Sequence, residues 1–86
     1  MPYVSMFFGI IIRMFYNDHN PPHFHAEYQG TEGLFDFNGR MLQGTVRSSI
    51  AKGLIKKWAK LHKDELMQNW LSIQQKGIIN RIEPLH

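Results

Sequence analysis

The chain predicts an α+β domain: a four-stranded antiparallel meander backed on one face by a long, bent C-terminal helix, with a short C-terminal strand after it. Three observations carry this. Short segments rich in β-branched and aromatic residues follow one another up to residue 46, and the turn pairs Gln29-Gly30 and Asn38-Gly39 separate the last of them. From residue 48 the apolar positions switch to spacings of three and four. With 86 residues there is material for one domain, 1–86, and little more than one sheet and one helical layer. A hydrophobic content of 43% sets the chain apart from a disordered tail.

Phe7 to Tyr16 is apolar on both alternating faces, with Ile10, Ile11 and Ile12 in a row and Arg13 as its one charge, so it reads as a central strand buried on both sides. Asn17 to Pro22 ends it in a loop, Pro22 holding Pro21 extended. From His23 to Gln29 the pattern alternates strictly, and the next strands run over Thr31–Phe37 and Arg40–Val46. Two-residue turns at Gln29-Gly30 and Asn38-Gly39 would pair Tyr28 with Thr31, Ala26 with Gly33, Phe24 with Phe35, Gly33 with Gly44, Phe35 with Leu42 and Phe37 with Arg40. One face then carries Phe24, Phe35 and Leu42. The other gathers His23, His25, Glu27, Glu32 and Asp36, with His23 across from Asp36.

Ser48 or Ser49 can cap a helix running to about Gln75, with Gly77 placed to end it. Ala51, Ile55, Trp58, His62, Leu66, Trp70 and Ile73 form its apolar stripe. Every charge from Arg47 to Lys63 is basic and Asp64-Glu65 follows at once, so a break at His62 to Asp64 would give cations to one helix C-terminus and carboxylates to the next N-terminus. Ile78 to Leu85 reads as a final edge strand ended by Pro84.

The chemistry concentrates in NDHNPPHFHAE, Asn17 to Glu27, which holds three of the five histidines. Neither a core strand nor an ordinary surface turn asks for that composition. Three readings stand side by side. His23 and His25 share a strand face with Glu27, and Asp18 or His19 can reach in from the loop, so Asp18, His19, His23, His25 and Glu27 are candidate ligands for a divalent transition metal; with no Cys, a metal must sit on such N and O donors. Alternatively His23 and His25, with Asp36 orienting one of them, form a metal-free acid/base pair suited to a hydrolase, for example cleaving RNA beside Arg13. In the third reading the histidines staple the loop and serve structure alone. No Ser or Cys nucleophile motif and no phosphate-binding Gly-rich loop is present.

Lys52, Lys56, Lys60 and Lys63 fall on one helix face, with Lys57 beside them and Arg47 at the start, a candidate contact for an acidic protein or RNA. Trp58 and Trp70 belong to the core stripe, and any part of the stripe overhanging the sheet would be covered in a homodimer. The apolar run Met6 to Ile12 lacks a basic flank and a cleavage site and is far shorter than the ~20 residues of a membrane span, so it reads as structure. A cytoplasmic, membrane-free protein is the expectation.

The stretches SMFFGIIIRMFYNDHNPPHFHAEYQG, WAKLHKDELMQNW and IEPL resemble the family of small prokaryotic proteins catalogued as domain of unknown function 4160, over nearly the whole chain. The resemblance makes Asp18, His19, Pro22, His23, His25 and Glu27 the hallmark positions. It implies an accessory or regulatory binding role of the kind found in toxin-antitoxin or mobile gene-cassette neighbourhoods. RSSIAKG departs from the Pro-Arg-Arg-Ala start associated with many members, so a role for those arginines does not carry over.

Overall fold

A computed structural model describes residues 3–86. Five strands form one antiparallel meander in the order β1 (Ser5–Phe7), β2 (Ile10–Arg13), β3 (Phe24–Tyr28), β4 (Thr31–Phe35) and β5 (Met41–Gly44), and two helices follow, α1 (Ser49–Leu61) and α2 (Lys63–Gln74). The expected strand Phe7–Tyr16 is instead a hairpin. Phe8 and Gly9 both take positive φ, 49° and 78°, which sets Phe7 opposite Ile10 in a two-residue turn. Gly9 reaches that conformation without strain, while Phe8 holds an exposed ring at the tip.

Between β3 and β4 the register is the expected one, with Tyr28 opposite Thr31, Ala26 opposite Gly33 and Phe24 opposite Phe35. Gly33 also meets Gly44 as expected, but Phe35 pairs with Met41 rather than Leu42 because the ladder slips by one residue there. Leu42 is therefore 45% exposed and leaves the apolar face. The cause lies in the turn. Asp36 Oδ1 accepts the N–H groups of Asn38 (2.9 Å) and Arg40 (3.0 Å), and the Asp36 N–H donates to the Arg40 carbonyl. This side-chain-closed turn replaces the two-residue Asn38-Gly39 connection and sends Phe37 into the core instead of opposite Arg40.

Ser48 caps α1 by accepting the Ala51 N–H, and the predicted break occurs at His62, so the long helix is two helices. Ala51, Ile55, Trp58 and Ala59 of α1 and Leu66, Trp70 and Ile73 of α2 lie buried against Ile10, Ile12, Phe24, Ala26 and Phe35 of the sheet. Trp58 sits at the centre, 5.5 Å from the rings of both Phe7 and Phe24. A single copy thus covers both tryptophans, so neither is left overhanging the sheet for a second copy to cover.

The expected edge strand Ile78–Leu85 does not form. Among the described residues the tail joins the backbone of the sheet region through one bond, Ile82 N–H to Val4 O. Side chains hold the rest of it: Trp58 Nε1 donates to Glu83 O, and the buried Asn69 amide both donates to Asn80 O (2.8 Å) and accepts its N–H (2.9 Å). Asn69→Ala, which unmakes both bonds, should cost about 1–3 kcal/mol, read as a lower urea midpoint at unchanged slope.

Candidate metal centre

The loop leaving β2 folds back on itself before it reaches the histidines. Asp18 N–H donates to Phe15 O and Asp18 Oδ2 accepts Phe15 N–H, both at 3.2 Å. This reciprocal pair fixes the carboxylate and leaves Oδ1 facing inward. The Asn20–Pro21 peptide is cis, and His23 follows just before β3, buried, with its ring 5.5 Å from that of Trp70 on α2. His25 lies on the sheet face away from the helices, edge-on to Phe15 at 4.7 Å.

Asp18 Oδ1 is 3.2 Å from His25 Nε2 and 3.5 Å from His23 Nε2. One donor atom from each residue falls within 4.8 Å of the other two. Their side chains are only 8% (His23), 16% (His25) and 13% (Asp18) exposed, so they meet largely out of water.

The tautomers follow from the partners. His23 Nδ1 is 2.8 Å from Pro21 O, and a carbonyl only accepts, so Nδ1 carries the proton and the neutral ring presents a bare Nε2 to the cluster. That lone pair faces a carboxylate oxygen, another acceptor. Only a positive centre between them, a proton or a metal ion, makes the arrangement favourable. His25 can satisfy Asp18 by donating from Nε2, whereas His23 Nε2 needs that proton or ion itself. A histidine whose far nitrogen is tied to a backbone carbonyl while the near one points at other donors is the usual arrangement of a metal-binding imidazole. For bonds of about 2.0–2.1 Å to a tetrahedral ion, adjacent donors stand roughly 3.3 Å apart, and the two edges from Asp18, 3.2 and 3.5 Å, lie on either side of that value.

Asp18, His23 and His25 are therefore the expected ligands that the fold unites. His19 is exposed and outside the cluster. Glu27 is bound at 2.9 Å by Arg13 from the neighbouring strand. Asp36, expected across from His23, gives its carboxylate to the Asn38 and Arg40 backbone, and the carboxylate that meets the histidines is that of Asp18. On the helices, Lys56 and Lys60 are exposed, Lys52 is half-buried, and Lys63 donates to Asn38 Oδ1. The flanking Phe15 and Trp70 were not singled out for the site; Trp70 carries the signal of its core stripe only.

A shallow cleft of 320 Å³ between residues 16–19 and the end of α2 reaches the cluster through Asp18. A larger hollow of 450 Å³ lies between β1 and the tail and includes none of these residues. No curated protein and no solved structure matches the chain. The family model described as Domain of unknown function (DUF4160) matches residues 9–71, the span that contains the whole cluster and both helices to Leu71, and the chain belongs to that family.

Proposed function

We propose that this domain is a small cytoplasmic binding protein of the accessory, toxin-antitoxin type, and that its His-rich site holds one divalent transition metal through Asp18 Oδ1, His23 Nε2 and His25 Nε2. The observation that carries the reading is the bare Nε2 of His23, turned on the Asp18 carboxylate by the Pro21 carbonyl behind it. Two imidazoles and a carboxylate suit zinc, iron or nickel better than magnesium or calcium.

The hydrolase reading uses the same three residues, since three protein ligands leave room for a water that the metal would activate. The binding reading asks nothing beyond these three residues, whereas a hydrolase would also need a base, for which His19, lining the cleft with Asp18, is a candidate. Self-association, if it accompanies this role, has to use residues other than the core stripe; Ile50 and Leu61, 77% and 64% exposed on α1, are the large apolar ones there.

Metal content of untagged protein tests the reading. Elemental analysis should find close to one equivalent of zinc or a neighbouring ion after dialysis, and none in Asp18→Asn or in the His23→Gln/His25→Gln double variant. Equal metal in wild type and double variant would sink it. A double variant that melts well below the metal-free wild type would instead support the loop-staple reading.

A further inference from the structure

Charge is unevenly placed along this chain. Residues 37–63 contain seven of its ten basic side chains and no acidic one, while the remaining 59 residues carry three basic and all seven acidic ones. The structure gathers this segment into one surface. Gly39 lies so close to α1 that a Cβ on it would stand 2.4 Å from Lys56 Cα, so the turn bearing Arg40 is pressed against the lysine face of the helix, and Lys63 ties the same turn through Asn38. Lys52, Lys56 and Lys60 succeed each other one helical turn apart, about 6 Å along the axis, with Lys57 alongside. None of the seven forms an ion pair among the described residues.

An exposed helix kept for solubility alone normally mixes signs, and lysines four apart repel each other. α1 has no carboxylate at any of its 13 positions. We infer that the β5–α1 face is a docking surface for the phosphate backbone of a double-stranded nucleic acid, engaged through Arg40, Lys52, Lys56, Lys57 and Lys60. A protein partner fits less well, because the centres of protein interfaces are depleted in lysine and enriched in aromatic residues, and the one aromatic residue of α1, Trp58, is wholly buried. A single strand fits less well for the same reason, there being no exposed ring on α1 or β5 on which bases would stack. The contact so drawn is to phosphates, which carry no sequence information. The inference goes beyond the metal reading and does not rest on it.

The test is fluorescence anisotropy of a labelled 20-base-pair DNA duplex, an RNA duplex and a single strand of equal length, titrated with metal-free protein in chelator across about 50–200 mM salt. With about four phosphates neutralised, the logarithm of the duplex affinity should fall with the logarithm of salt at a slope of about −3 to −4. Lys56→Ala/Lys60→Ala should make that slope shallower by about 2 and weaken low-salt binding at least tenfold, with melting unchanged. Lys76→Ala/Arg81→Ala, off this face, should do neither. The DNA and RNA arms decide which duplex is preferred. No duplex binding at the lowest salt, a slope shallower than about −1, equal loss in the control variant, tighter binding of the single strand, or equal competition by polyglutamate would each overturn the proposal.

Discussion

Saturating the metal-free domain with zinc should raise its melting temperature by about 10–20 °C. An ion that binds only the folded chain adds RT ln(1 + [L]/Kd), about 2.7 kcal/mol at a hundredfold excess over Kd. A domain of this length gains about 4–8 °C per kcal/mol. The unfolded chain binds weakly because Asp18 is placed by its reciprocal bonds with Phe15, and His23 by Pro21 O, neither of which survives unfolding. Nickel and copper should act like zinc, whereas magnesium and calcium, which favour all-oxygen shells, should leave the melt unmoved. In His23→Gln/His25→Gln the zinc shift should vanish. Persistence of the full shift in that variant would place the metal elsewhere, and a magnesium response as large as that of zinc would argue against imidazole ligation.

Much of what positions this site was legible from residue order, and what was not has identifiable causes. Strict alternation from His23 to Tyr28, with Gln29-Gly30 behind it, fixed the β3–β4 register because a one-residue slip would have turned Phe24 and Ala26 to solvent. The charge reversal at Lys63-Asp64 likewise marked the helix break. The Phe8-Gly9 turn was hidden inside an apolar run that has no Asn, Asp or Pro to announce it. Asn38-Gly39 carried the stronger turn signal, yet Asp36 overrode it by capping two backbone N–H groups, and the same bonds removed Asp36 from the histidines. Asp18 was one of five candidate ligands. Its selection over His19 and Glu27 depended on where the loop doubles back and on the Arg13–Glu27 pair across β2 and β3, contacts that spacing along the chain does not encode.

Trp58→Ala should leave the domain at the edge of folding. Truncating a buried Trp costs about 3–5 kcal/mol, against a total stability for a chain of this length of about 4–13 kcal/mol. The upper part of that range applies because Trp58 serves three parts of the fold at once. Its ring meets Phe7 of β1 and Phe24 of β3 at 5.5 Å, and its Nε1 holds the tail by donating to Glu83 O at 2.9 Å. Trp58→Phe separates these contributions. It keeps most of the packing while losing the Glu83 bond, for about 1–2 kcal/mol, and the loss should concentrate in the tail as faster amide exchange at Ile82, whose N–H bonds Val4 O. The zinc response should survive in Trp58→Phe, because Trp58 packs on Phe24, which points to the opposite face of the sheet from His25, and the helical ring beside His23 is that of Trp70. If Trp58→Phe abolished metal uptake without lowering the melt of the metal-free protein, the site would depend on the helical layer more directly than its ligands suggest. Unchanged exchange at Ile82 would mean that the Glu83 bond adds little to a tail that Asn69, Ser72 and Tyr16 also bind.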